Sequence, residues 1–475
     1  MICRLAFLLL LAPAVSAAAP PSDPTLQQRV EERLAEAGPG PRFGLVVTTL
    51  EGEEIIAIAQ DQRFMPASNT KIFTTAAAFE LLPGLDRPDD DGGARVRLEA
   101  GRSGATNVIL EGRGDARLSS APECRANCLA TLADAVAART RRVGAVIGDA
   151  RRFADERWSF GMSWNNIRTQ SGTALAALSL DGNELAFRVV PAGAGQPPKL
   201  QVAAYVTVDN RAVTVGGEGK TDLEIERLPG SRALRLTGTI RGDAGEVLLG
   251  LGLDDPAHYA AWRFAGMLEK RGVRVAGGVA VRYRPVSEAA AAEPSEALAR
   301  LDPPPLAEDL VTINKVSQNA HSELLLRRLG AARGKASVAG GLEAVGAMLE
   351  RAGVSKTEVT LADGSGMSTY NRVSPRGMAR LLRWIAGRPW SGAFRASLPV
   401  GGIDGTLARR FREGGLKGRI FAKTGSLNAT SALSGYMIAA SGRVLVFSAF
   451  ANDVPEGVAG TAAIDQALLL VAQGR

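Results

Sequence analysis

Both ends of this chain alternate helix and strand patterns, whereas its middle is written in short strands punctuated by glycine, and that interruption limits the folds open to it. Phe43 to Leu50 and Glu54 to Ala59 are β-rich runs divided by Glu51-Gly52, a hairpin pattern. Thr70 to Leu82 reads as an alanine-rich helix stopped by Pro83-Gly84. From about residue 86 to 285 the texture changes to strands such as Leu200 to Val215 and Ala233 to Ile240, with few long helices and one near His258 to Arg271. Helices return at Leu306 to Leu329, Gly340 to Ala352 and Pro375 to Ala386. The chain closes with a strand at Ile420 to Lys423, a hairpin from Ala432 to Asn452 across Ser441-Gly442, and a helix from Gly460 to Ala472. The economical reading is a mixed core assembled from residues 20–85 and 295–475, carrying a β-rich insertion at 86–294. The Ala-, Glu- and Pro-rich stretch Arg284 to Pro305 is then the return connection.

Composition narrows the chemistry. The 475 residues include two histidines, His258 and His321, and three cysteines. No multi-histidine metal site can be built from that supply, and a Ser-His-Asp or Cys-His centre would depend on one of the two. A packed or surface helix position is the plainer role for His321, and His258 reads the same way. Nine lysines stand against 47 arginines, so a base working near neutral pH points to one of few lysines or to a carboxylate. The net charge of +7 comes from interspersed acids and bases, with 5% aromatic residues, which argues against nucleic acid as a partner.

Residues 1–19 have the pattern of a secretory leader: Arg4, the apolar run Leu5 to Ala12, then small residues from Ala14 to Ala19. The run is shorter than the roughly 20 residues a membrane span needs. Export places the chain in the periplasm or outside the cell, where Cys124 and Cys128 can close a small local disulfide; two free thiols are the alternative. Zinc would lack nearby partners.

Three short motifs could carry chemistry. Ser68-Asn69-Thr70-Lys71 stands where a loop runs into the first strong helix. At i and i+3 the serine and lysine share a face, so the amine can reach the hydroxyl. A desolvated lysine loses its proton more readily and can activate serine without histidine. In isolation, an N-cap serine beside an exposed lysine would look the same. Lys423-Thr424-Gly425-Ser426 lies on a strand just before a hairpin, where a cation, a hydroxyl and a glycine suit a carboxylate, the glycine admitting a substrate backbone. An ordinary basic edge strand is the alternative. Ser317-Gln318-Asn319 is one of three S-x-N triplets, with Ser163-Trp164-Asn165 and Ser426-Leu427-Asn428, but only it lies between the other two motifs, opening a helix.

S-x-x-K, S-x-N and K-T-G in that order are the set of penicillin-recognising serine enzymes. PASNTK followed by FTTAAA, PLAEDLVTINKVSQN, LADGSGMS, GIDGTLARR and FAKTGSLNATSALSGY together resemble the D-Ala-D-Ala carboxypeptidase/endopeptidase family of class C penicillin-binding proteins. The 249 residues from Ser68 to Ser317 resemble that family's two inserted domains, and the likeness runs over essentially the whole mature chain. It implies an α+β fold: a serine β-lactamase/transpeptidase-like core, antiparallel sheet flanked by helices plus a helical subdomain, with inserted β-rich domains. It implies Ser68 as nucleophile, Lys71 as general base, and Ser317 as the proton relay to the leaving amine. Asn319 would hold the substrate amide or Lys71, and Lys423 and Thr424 the terminal carboxylate. The N–H groups of Ser68 and Ser426 would form the oxyanion hole, with Gly425 between them and the carboxylate site. The expected substrates are peptidoglycan stem peptides, with β-lactams as covalent inhibitors and no metal or cofactor.

Two positions depart from the family pattern. Where W-x-D is common, Trp164-Asn165-Asn166 has asparagine, and Ser171 stands near the usual aromatic position. Where arginine usually follows D-G-S-G-L-S, Asp363-Gly364-Ser365-Gly366-Met367-Ser368 is followed by Thr369. In the resembling enzymes these positions read the charged end of the stem-peptide side chain, so Asn166 and Thr369 imply an altered or relaxed preference. Two other functions compete: a related enzyme that mainly hydrolyses β-lactams or small esters, and an envelope binding protein without turnover. No Glu-containing β-lactamase loop is recognisable, and the intact motifs argue against the second.

Overall fold

The computed structural model describes residues 25–101, 104–227, 230–289 and 296–474. The leader read at residues 1–19 lies outside them, as does part of the return connection.

The two ends of the chain meet in one antiparallel sheet, ordered Ile420–Leu427, Thr430–Ile438, Val444–Asn452, Arg42–Thr49 and Glu54–Ile58. Successive side chains of a strand point to opposite faces, and here both faces are covered. Leu45 and Val47 join Val30, Leu34 and Leu468 from the helices Leu26–Ala35 and Gly460–Gln473. Val46 joins Ile72, Phe73 and Leu382 from the helices Thr70–Leu81 and Pro375–Ala386. Burial on both sides explains why this strand is an unbroken apolar run rather than an alternating one. The helix Leu26–Ala35, absent from the sequence expectations, starts at a capping box between Thr25 and Gln28.

The expected single helix over Leu306 to Leu329 is two, Leu306–Lys315 and Asn319–Ala331. Between them Ser317 has φ +68°, a left-handed conformation that costs a non-glycine residue about 1 kcal/mol or more. Gln318 caps the second helix through its side chain, which accepts from Ala320 N–H at 3.3 Å. The break turns Ser317 out of a helix and toward the K-T-G strand.

The intervening region holds a second five-stranded sheet, ordered Val279–Arg284, Val146–Ala154, Thr106–Glu111, Arg95–Ala100 and Ala299–Arg300. Its three first-named strands are mutually parallel. Parallel neighbours need crossovers, and the helices Leu129–Arg139 and Pro256–Lys270 lie on those connections. The region is rich in strands, as expected, with two crossover helices set among them. Leu129, Leu132, Ala133 and Val136 carry the helical spacing of the crossover the sequence reading passed over. Leu200 to Val215 is not one strand but parts of three, Lys199–Gln201, Thr207–Asn210 and Val213–Val215, distributed over two smaller sheets. Cys124 and Cys128 are joined by a disulfide immediately before the helix Leu129–Arg139. Among the described residues no helix is long and apolar enough to cross a membrane.

Candidate active site

Ser68 sits in a 3-10 turn, Ala67–Asn69, that runs directly into the helix Thr70–Leu81. One helical turn on, Lys71 is fully buried, and its Nζ lies 3.0 Å from Ser68 Oγ, 2.7 Å from Asn319 Oδ1 and 2.6 Å from Ser365 O. Burial pushes the Lys71 ammonium down to about 7, against the opposing charges of Asp363 and Glu323. The partners then divide by proton inventory. A neutral amine has two N–H donors and one lone pair. Asn319 Oδ1 and Ser365 O are acceptors only and take the two donors, so the lone pair is left for the Ser68 hydroxyl proton.

Across the cleft, Lys423 is also fully buried, and its Nζ donates to Ser317 Oγ and Thr424 O, both at 2.9 Å. Burial, then the charge of Lys71, holds its ammonium well below the usual lysine range. An anion arriving here would supply the counter-charge that this lysine lacks. Asn69 Nδ2 donates to Lys423 O at 2.9 Å, tying the Ser68 turn to the strand Ile420–Leu427. Thr424 Oγ1 pairs with Thr406 Oγ1 at 2.7 Å, and Ser426 is exposed. At Gly425 the closeness is internal: a Cβ there would lie 2.7 Å from Pro66 O and 3.1 Å from Asn69 Nδ2. The glycine expected to admit a substrate backbone is what lets the Ser68 turn approach this strand.

The structure thus brings Ser68, Lys71, Ser317, Asn319, Lys423 and Thr424 to one cleft, and adds residues the sequence reading did not assign. Asp363 accepts from the backbone N–H groups of Gly366 and Ser368 and from Asn371 Nδ2, at 2.9, 2.6 and 2.7 Å, fixing a tight loop. Burial, then the neighbouring Glu323 charge, raises its carboxyl to about 6. Gly366, at φ +90°, lets that loop press on the Ser68 turn, because a Cβ there would lie 1.9 Å from Ala67 O. Glu323 stands four residues after Asn319 on the same helix, and the sequence reading had not singled it out.

The rim is built differently. Asn319 Nδ2 donates to Ser171 O at 3.0 Å, which brings the Trp164–Gly172 segment to the cleft. Asn166 lies in the short helix Trp164–Ile167, and its Nδ2 is buried without a hydrogen-bond partner. Thr369 is committed to Gly161 O, through its N–H at 3.0 Å and its Oγ1 at 3.2 Å. Beside it Phe160 and Tyr370 stack at 4.9 Å, 76% and 54% exposed. The histidines take no part in the cleft: His321 Nδ1 pairs with Asp309 Oδ1 at 2.5 Å, and His258 with the Tyr205 hydroxyl at 3.2 Å. No cluster of three or more metal-ligating side chains exists among the described residues.

The family profile described as D-Ala-D-Ala carboxypeptidase 3 (S13) matches residues 26–473. The chain belongs to the S13 family. It is thereby a serine-type carboxypeptidase among the class C penicillin-binding proteins. The D-alanyl-D-alanine carboxypeptidase of Actinomadura sp. (strain R39) is 34% identical over 432 residues, 86% of this chain and 77% of that one. The crystal structure of penicillin binding protein 4 (dacB) from Haemophilus influenzae superposes with a TM-score of 0.79 at 22% identity, covering 92% of this chain and 98% of that one. The same protein complexed with a novel β-lactam gives 0.73 at 21% identity, over 93% and 98% of the two chains. The S13 chain accordingly has the α+β fold of these enzymes, a helix-flanked antiparallel sheet with additional inserted sheets.

Proposed function

We propose that this S13 enzyme is exported to the cell envelope and there hydrolyses D-Ala-D-Ala ends and D,D cross-bridges of peptidoglycan stem peptides through an acyl-Ser68 intermediate. The observation that carries the proposal is the fully buried Lys71 amine held between Ser68, Asn319 and Ser365. Ser68 Oγ attacks the penultimate D-Ala carbonyl while its proton passes to Lys71 Nζ. The backbone N–H groups of Ser68 and Ser426 receive the oxyanion, a contribution of about 3 kcal/mol for one such donor. The C–N bond breaks as the leaving amine takes a proton through Ser317, which Lys423 orients. Water then cleaves the ester and frees Ser68. Thr424, with the Lys423 charge behind it, is the seat for the terminal carboxylate. Cross-bridge cleavage differs only in the leaving amine, so the same residues serve both reactions.

A β-lactam mimics the acyl donor and leaves Ser68 acylated; the β-lactam complex of the Haemophilus protein supports this. The catalytic unit is residues 20–85 and 295–475, with 86–294 inserted between them, and Asn166 and Thr369 line the side of the cleft that meets the stem-peptide side chain. Fluorescent β-lactam labelling of wild type and Ser68→Ala tests the core of the proposal: labelling confined to wild type is expected, and an unlabelled folded wild type rejects it. D-alanine released from a muropeptide then separates a carboxypeptidase from a β-lactamase.

A further inference from the structure

One buried carboxylate beside the cleft has no part in the reaction just described. Glu323 is 2% exposed, and its Oε1 accepts from the N–H groups of Gly364 and Ser365, both at 2.9 Å. Its Oε2 accepts from Ser159 Oγ at 2.8 Å and from Arg327 Nη1 at 3.0 Å. Arg327, equally buried, donates onward from Nη2 to Glu156 O at 2.7 Å. A buried ion pair of this kind adds little net stability over apolar side chains of the same shape. Stability alone is therefore a weak account of it.

Its geometry offers another account. The N–H that Glu323 grips belongs to Ser365, the residue whose carbonyl accepts from Lys71 Nζ at 2.6 Å. The neighbouring carbonyl, Gly364 O, accepts from Thr74 Oγ1 at 2.8 Å and Ser322 Oγ at 2.7 Å, so this peptide is clamped from both sides. We propose that Glu323, paired with Arg327, is a positioning residue for Lys71: it fixes the Ser365 carbonyl against the amine and ties that carbonyl to the Glu156–Ser159 segment of the inserted region. The inference rests on the reading of Ser68 and Lys71 as the acylating pair. Insert and catalytic centre are then coupled through this carboxylate, beside the Asn319–Ser171 and Thr369–Gly161 contacts.

The charges agree with this role. Burial alone would raise the Glu323 carboxyl, but Arg327 and the bonds from Ser159 and Ser365 hold it below the ordinary range, so it is ionised. The charged groups facing Lys71 are Glu323 and Asp363, which favour its ammonium, and Lys423, which opposes it. Removing the Glu323 charge therefore lowers the pH at which Lys71 gives up its proton.

The test measures acylation of the full-length protein by a fluorescent penicillin, counting only sites competent to acylate. Glu323→Gln is expected to lower the first-order acylation constant about 100-fold, to leave the dissociation constant of the initial complex unchanged, and to move the pH midpoint downward. Ser159→Ala, which cuts only the arm to the insert, is expected to give a smaller fall in the same constant. A wild-type constant and midpoint per competent site in Glu323→Gln would reduce Glu323 to a structural residue and overturn the inference. If that variant does not fold, the neutral pair E323Q/R327M leaves no unpaired buried charge: a lowered constant supports the inference and a wild-type constant overturns it. A wild type not acylated at Ser68 rejects the serine–lysine reading itself, and this inference with it, before any variant is made.

Discussion

The floor of the cleft and its rim handle polarity in opposite ways. On the floor, Lys71, Lys423, Glu323 and Asp363 are all out of solvent, each held by two or more hydrogen bonds. At the rim, Trp164, Phe160 and Tyr370 stand 71%, 76% and 54% exposed, with Asn166 and Thr369 beside them. The difference teaches where precision is stored. Desolvated charges are strongly coupled, so a displaced atom on the floor changes protonation as well as distance. An exposed aromatic edge tolerates change because water already solvates it.

The sharpest way to break the comparison is to make the charge on the floor permanent. Lys71→Arg keeps the cation but cannot surrender a proton, so acylation should fall about 1,000-fold or more in a stopped-flow measurement with labelled penicillin. In the unaltered enzyme the acylation rate should climb with pH through about 7, because below that value Lys71 holds its proton and cannot accept the one on Ser68. A flat profile would show that Lys71 is not the base.

Gly425→Ala probes packing on the same floor. The new methyl meets the Pro66 carbonyl at 2.7 Å, so strand and Ser68 turn must part. Acylation should drop by about 30-fold, with roughly 1–3 kcal/mol lost in denaturant unfolding. At the rim, the pair N166D/T369R should raise preference for a stem peptide bearing a free amino and carboxyl end on its third residue by about tenfold in kcat/KM, the value of one charge-assisted hydrogen bond. No change in preference would mean that this side of the cleft does not meet the side chain. The smallest effect on catalysis is expected far from both: Cys124→Ser with Cys128→Ser should cost about 2 kcal/mol of stability in its region and leave the acylation constant where it was.

The meeting of Ser68, Lys71, Ser317, Asn319 and Lys423 was more legible in the sequence than the fold around them. Ser68 and Lys71 are readable because their chemistry needs both side chains within one helical turn, and the ordered motifs make Ser317 and Lys423 readable in the same way. Glu323 is not, because its partners Ser159, Gly364 and Ser365 come from remote segments and no short pattern joins them. The break at Ser317 is equally hidden: apolar positions continue on both sides, with Leu310 and Ile313 before it and Leu324 and Leu325 after it, so the periodicity reads as one helix. The alanines of the crossover helix Leu129–Arg139 favour a helix, but the segment is short and lies between glycine-punctuated strands, whose texture the reading followed instead.

The pairing of Arg42–Thr49 with Val444–Asn452 has a consequence for the order of events in the life of the chain. Arg42 finds its partner in Asn452, almost the whole chain away, and contacts of such separation close late and slowly. The inner neighbour of the first strand is synthesised long after it, when the parallel strands of the middle region, with both their crossover helices, have already been made. The turn that carries Ser68 leans on that late sheet through Asn69 and the Lys423 carbonyl. The Ser68 turn therefore gains this support only after residues 420–452 have been made, and a chain interrupted before them leaves that turn without the strand it leans on.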